Sequence, residues 1–518
     1  MLPPFRNEPL TDFSRPENQA AFQAALDQVK QEIGRTYPLV IGGQRLELQE
    51  TFPSLNPSQP SQAVAHFANG AASHADQAIE AAAQAFETWK STPVAVRARF
   101  LLDVAAEMRR RKHEFSAVMV LEVGKNRAEA DADTAEAIDF LEYYARQMMR
   151  LADSSSQLVP FDAEHLGLYY IPLGVGAVIP PWNFPNAITT GMTAAAIVAG
   201  NTVVLKPAEQ SPWVAYKMCE LFWNAGLPAG VLNFVTGPGE VVGGRMVEHP
   251  KTRFIAFTGS RAVGTEIYEK ASRVQPGQLW LKRSILEMGG KDAIIVDETA
   301  DLEAAAEGIV TSAFGFQGQK CSACSRAIIV NDVYETVAER VIARTRRLTV
   351  GNPVENPAVD LGPVIDQEAF DRIRQYIEIG HGEGELLIGG GSSNPEDGYF
   401  VEPTIFGEVA PDARLAQEEI FGPVLALIRA RDFDHALEIA NGTVYGLTGG
   451  VYSNDRLRLE RAREEFHVGN LYFNRKITGA QVGVHPFGGF NMSGTDSKAG
   501  GPDYLLLFTQ AKSVAERL

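Results

Sequence analysis

From residue 168 onward the chain alternates short apolar runs with longer amphipathic stretches. Runs at 175–179, 203–205, 232–235, 254–257 and 293–296 are built mainly of Val, Ile, Leu, Phe and Ala, broken only by Gly176 and Asn233. Apolar runs of that length, bounded by turn residues, predict strands buried on both faces. Strands alternating with helices predict parallel sheets. A second alternating series passes through 327–330, 333–348, 424–428 and 469–474. The expectation is therefore an α/β protein with two sheet domains. Upstream, 38–48 predicts a small hairpin turning at Gly42-Gly43. Apolar residues at helical spacing predict helices around 75–90, 95–120 and 128–150. The Gly289-Gly290 turn within 287–291 separates the two series, where a cleft between domains would open.

Charge and cysteine content narrow the classes. The 518 residues carry 64 acidic and 47 basic side chains, a net charge of −17. That argues against nucleic acid and against an anionic membrane as partners. Three cysteines are too few for a disulfide scaffold, and the first residues lack the basic start and apolar core of a signal peptide. A cytoplasmic location is expected. The most apolar stretch, 188–205, is interrupted by Thr, Gly and Asn and predicts a buried helix and strand, with no membrane span. Cys321 and Cys324 form a C-x-x-C without a second ligand pair, so no metal is expected.

The candidate chemistry centres on Cys321. Gly, Gln, Lys and Ser frame it, a setting for a reachable thiolate more than for a packed thiol, although free cysteines are often simply buried. Lys206 and Glu209 follow a strand directly, where ligands gather in open α/β sheets. Such a pair can hold the hydroxyls of a ribose, or be two solvated loop charges. Gly259 and Ser260, with Gly264 beyond, open a helix whose N-terminus suits a pyrophosphate. Asn183 stands between Pro181 and Pro185 in Pro181-Trp182-Asn183-Phe184-Pro185, which holds its amide at a fixed bearing, as an oxyanion donor needs. A plain proline-rich turn reads equally well.

Taken in order, that segment, Lys206 to Glu209, Phe257 to Ser260, Glu287-Met288-Gly289-Gly290, Gly318 to Cys321, Glu418 to Pro423 and Pro486 to Gly489 resemble the NAD(P)-dependent aldehyde dehydrogenase superfamily. The resemblance runs over roughly 35–515, with Met288 where leucine is commoner. It implies two Rossmann-like parallel-sheet domains with a small β flap for oligomerisation. Residues 1–150 and 172–286, with an N-terminal extension 1–35, would bind NAD. Residues 287–485 would form the catalytic domain, and 151–171 with 500–518 would pair subunits into a homodimer or an assembly of dimers. The apolar stretches 158–160 and 504–508 suit a sheet edge that a partner chain covers.

The same resemblance assigns Cys321 as nucleophile, Glu287 as general base and Asn183 as oxyanion donor. It gives the cofactor NAD to Lys206, Glu209, Pro181, Trp182, Gly259, Ser260, Gly264, Met288, Glu419 and Phe421. Three segments, 314–323, 136–144 and 469–480, are most similar to the branch that oxidises L-glutamate γ-semialdehyde in proline catabolism. For that substrate Ser322, Gly479 and Ala480 would cradle the α-carboxylate, with Phe184 and Phe487 beside the aliphatic stem and Glu136 nearby. Arg475 and Lys476 are the alternative carboxylate ligands, and transient contact with a proline dehydrogenase is an implied partnership. Oxidation of succinate or aminoadipate semialdehyde is the nearest alternative. A thioesterase and a non-catalytic relative are more distant ones.

Overall fold

The computed structural model describes residues 3–152 and 158–517. Two seven-stranded sheets dominate it. The first runs in the order Arg283–Glu287, Thr252–Thr258, Val175–Ile179, Thr202–Leu205, Leu232–Phe234, Leu39–Ile41, Gln44–Leu46. Its first five strands are parallel, and the hairpin 39–46 closes the edge antiparallel. The second runs Glu385–Ile388, Thr404–Gly407, Val424–Ala430, Cys324–Val330, Asp292–Val296, Thr448–Tyr452, Asn470–Phe473, parallel except at Glu385–Ile388. Central strands such as Thr202–Leu205 and Asp292–Val296 are buried throughout, which is why, after Thr202 and Asp292, they read as apolar runs.

Three expectations need correction. The helix foreseen over 95–120 is two, Val94–Arg110 and Lys112–Glu122, parted at Arg111, whose φ of −104° and ψ of 21° leave the helical basin. Residues 35–68 hold more than a hairpin: Arg35–Tyr37, Thr51–Asn56 and Gln59–Ala68 build a separate three-stranded sheet. Tyr504–Phe508 is a 3₁₀ turn rather than a sheet edge, and Tyr504, Leu505 and Phe508 are buried in the core of the first sheet's domain. A five-residue apolar run carries no period long enough to separate strand from helix.

Beyond that turn, Thr509–Arg517 pairs antiparallel with Glu164–Pro172 over nine residues, forming a ribbon whose outer strand is almost wholly exposed. Residues 153–157 of the expected pairing segment lie outside the described residues, and Val159 and Phe161 are exposed. Among the described residues no helix is long and apolar enough to cross a membrane.

The helix Arg127–Ala152 packs on Val94–Arg110, Lys112–Glu122 and Ala187–Val198. This bundle carries one wall of the cavity between the two sheets. Glu136, Phe140 and Tyr144 point from it into that space.

Candidate active site

Cys321 follows a backbone excursion. Phe316, Gln317 and Gly318 have φ of 48°, 56° and 68°, three successive left-handed residues, two of which are not glycine. Such a run persists only where its surroundings over-determine it. Gln317 Nε2 donates to the Pro363 carbonyl at 2.8 Å, and the Phe316 ring is fully buried. The Lys125 ammonium lies 4.6 Å from the centroid of Phe316 and 4.0 Å from that of Phe184. One buried cation therefore braces both the loop of Cys321 and the turn of Asn183. Lys320, next to the thiol, pairs with Glu129 at 2.7 Å. Neither Lys125 nor Glu129 was legible as part of the site, because nothing local in the sequence links them to residues about 190 positions away.

Cys321, Ser322, Glu287, Phe184, Glu136, Gly479, Ala480 and Phe487 line one cavity, with Tyr504 added by the 3₁₀ turn. Burial pushes the Cys321 thiol up, and Asp292, Glu419 and Glu287 push it further. These surroundings favour the neutral thiol over the thiolate. Burial likewise raises Glu287 to about 7, against hydrogen bonds from Ser497 Oγ and from the Gly489 N–H at 3.2 Å. Glu136 rises to about 8, by burial and by the nearby Asp133. Gly290 admits the close approach of these parts: a Cβ there would sit 2.6 Å from the Cys321 carbonyl oxygen.

Donors face the reacting end. Asn183 Nδ2 gives one hydrogen to the Gln319 carbonyl at 3.0 Å, leaving the other for a ligand. Among the described residues the backbone N–H groups of Cys321, Gly479 and Ala480 donate to no protein acceptor. Arg475 is engaged elsewhere, donating to the carbonyls of Lys476 and Thr478 and stacking on Tyr472. Cys324 does not share the cavity: its Sγ donates to the Arg326 carbonyl and faces a separate small void beside Glu419.

A dinucleotide would fit the strand ends of the first sheet. Lys206 is 2 % exposed and pairs with the half-exposed Glu209 at 3.1 Å. Burial lowers the Lys206 pKa, and Glu209 opposes that shift. Ser260 caps the helix Arg261–Ser272 through Val263 N–H, and the helix opens to solvent at that end. Gly264 packs below it, where a Cβ would meet Met288 Sδ at 2.4 Å. Nearer the thiol, Glu419 accepts from Gly290 N–H at 3.0 Å, with its carboxyl raised by burial to about 7. Trp182 and Phe421 meet edge to face at 5.4 Å. Pro181 and Gly259 complete the expected set and are half-buried at this mouth.

Residues 45–514 match the model of the aldehyde dehydrogenase family, and the chain belongs to that family. Over its whole length it is 59 % identical to a 1-pyrroline-5-carboxylate dehydrogenase of Geobacillus thermodenitrificans, which it also covers completely. It superposes with a TM-score of 0.98, at 57 % identity and full coverage of both chains, on a 1-pyrroline-5-carboxylate dehydrogenase from Thermus with bound NAD. Proline utilization A of Bdellovibrio bacteriovorus is 47 % identical, with a TM-score of 0.96, over 99 % of this chain and 53 % of that one.

Proposed function

We propose that this protein oxidises L-glutamate γ-semialdehyde, the open form of 1-pyrroline-5-carboxylate, to L-glutamate, with NAD as hydride acceptor. The observation that carries this reading is the single cavity holding Cys321, Glu287 and the unpartnered N–H groups of Gly479 and Ala480. They supply a nucleophile, a base and, in the N–H pair, an anion cradle. Relatives named for this activity, similar over their full length, support it.

The chemistry follows from the groups present. Burial favours the neutral thiol, so Glu287 would take its proton as Sγ bonds to the aldehyde carbon. The resulting oxyanion accepts from the second Asn183 N–H and from Cys321 N–H. Loss of hydride from this hemithioacetal leaves a thioester on Cys321. Glu287 releases the thiol proton to solvent and then deprotonates a water that adds to the thioester carbon. The C–S bond breaks, the carboxylate leaves and the departing sulfur takes the proton back from Glu287, restoring the thiol and the carboxylate base. NAD, when bound, supplies the hydride acceptor. Lys206 and Glu209 would hold its adenosine ribose, Ser260 with Gly259 and Gly264 its pyrophosphate, and Glu419 its nicotinamide ribose. Pro181, Trp182, Met288 and Phe421 would pack around it. The Glu209 carboxylate disfavours a 2′-phosphate and so favours NAD over NADP.

Ser322, Gly479 and Ala480 would bind the α-carboxylate, Phe184 and Phe487 would flank the stem, and Glu136 would face the ammonium. We also propose a cytoplasmic enzyme that pairs through the exposed ribbon 164–172 with 509–517, as a dimer or an assembly of dimers. Transient contact with a separate proline dehydrogenase is part of the same reading.

The test is initial NADH formation with 1-pyrroline-5-carboxylate, comparing the parent with Cys321→Ala. Turnover abolished by the substitution is expected. No turnover in the parent, with short aliphatic aldehydes still oxidised, would discard the carboxylate site.

A further inference from the structure

The family match begins at residue 45, yet the Geobacillus relative aligns over the whole chain. The residues ahead of the match include an extended strap on the outer face of the helix Arg127–Ala152. Thr11 donates from N and Oγ1 to Asp131 at 2.7 and 2.6 Å, and Glu8 N–H to Asp139 at 2.6 Å. Phe5 meets Tyr143 edge to face at 5.2 Å, and Arg146 reaches the Pro3 carbonyl at 3.2 Å. Positions 131, 139, 143 and 146 share one helical face. Glu136, Phe140 and Tyr144 of the same helix line the cavity.

The strap also touches the loop that ends the cavity. Asn7 Nδ2 donates to Asp139 at 2.8 Å and to the Val482 carbonyl at 2.9 Å. Its amide thus joins helix and loop. Phe5 packs on Gly483, where a Cβ would sit 3.1 Å from Phe5 Cε1 and 2.9 Å from Tyr143 Cε2. Gly483 has φ of 75°, so both space and backbone require glycine there. Gly483 N–H also donates to the Gly500 carbonyl at 2.8 Å, and within the loop Val484 and His485 N–H donate to the Gln481 carbonyl at 3.0 and 2.8 Å.

We propose that Asn7 and Phe5 are positioning residues for substrate selectivity, holding the 479–483 loop against the helix so that Gly479 and Ala480 N–H stay aimed at the charged end of an amino-acid aldehyde. This rests on the reading of that loop given above. Among the described residues no hydrogen bond or ion pair joins Cys321, Glu287 or Asn183, which stand on other elements, to the strap. An aldehyde without a carboxylate makes no use of the loop, so loosening it should spare such substrates.

The experiment is steady-state kinetics of the full chain carrying Asn7→Ala or Phe5→Ala, with 1-pyrroline-5-carboxylate and with propanal at saturating NAD. Loss of one loop-fixing hydrogen bond should raise KM for the amino-acid aldehyde about tenfold, leaving kcat and propanal kcat/KM within about twofold. Equal losses on both substrates would overturn the proposal, reducing the strap to a general stabiliser. Ser322→Ala, measured in parallel, separates it from the reading beneath it. An unchanged KM in Ser322→Ala with a raised one in Asn7→Ala removes Ser322 from the substrate site and keeps the strap. A raised KM in Ser322→Ala with no change in Asn7→Ala and Phe5→Ala sinks the strap. Should Phe5→Ala not fold, Phe5→Leu keeps most of the packing volume and reads the same contact.

Discussion

Lys125 and Asp133 form an ion pair at 2.7 Å in which neither side chain reaches solvent. Asp133 Oδ1 also accepts from Ala187 N–H at 2.6 Å, at the start of the helix Ala187–Val198. Removing one partner of such a pair strands a charge in the interior, which typically costs about 3–5 kcal/mol. Lys125→Met is therefore expected to lower the denaturation midpoint markedly. It also frees Phe184 and Phe316 from a shared support, so kcat should fall even where the variant stays folded. Denaturant titration beside single-turnover kinetics separates the two effects.

Glu287 sets the expected pH response. With its carboxyl raised to about 7, the basic form accumulates as pH rises through neutrality, so kcat/KM should climb between pH 6 and 8. A folded-state pKa above the unfolded value means that this group's contribution to stability is present at low pH and lost as pH rises through about 7. Glu287→Gln should flatten both profiles, read by initial rates and by thermal unfolding across the same buffers.

Asn183→Ala deletes one oxyanion donor without touching the nucleophile. Such deletions typically cost about 3 kcal/mol in the transition state, so kcat should drop roughly a hundredfold. A fall confined to KM would assign Asn183 to ground-state binding instead.

Cofactor choice is expected to turn on Glu209. It pairs with Lys206 and is half-exposed at the strand end, so Glu209→Ser should leave Lys206 free to meet a 2′-phosphate. The ratio of kcat/KM for NADP to that for NAD should rise by about tenfold or more. An unchanged ratio would move the discrimination to another residue.

The parallel strands were legible because burial on both faces writes short, mostly apolar runs, and 175–179 coincides with the observed strand. Motif residues at strand ends were legible for the same reason: topology brings them to one edge. What could not be read was contact between distant positions. The left-handed turn at Phe316 and Gln317 occupies residues with no special preference for it, and is held by Pro363 and Lys125 from elsewhere in the chain. The acidic surroundings of Cys321 were hidden likewise, since Asp292 and Glu419 approach it only in the folded cleft.

The turn Tyr504–Phe508 gives this protein an order of assembly. Leu505 and Phe508 belong to the core beneath the first sheet, whose last strand ends at Glu287. Asn201, between the first sheet's helix and strand, donates to the Phe508 carbonyl at 2.8 Å, and Arg283 holds the carbonyls of Leu506, Leu507 and Thr509. A chain emerging from the ribosome thus has its first sheet's strands in hand more than two hundred residues before that core can close. The second domain, continuous from Asp292 to Phe473, is free to finish first. The core of the part synthesised earliest lacks Leu505 and Phe508 until residues 505–508 are made.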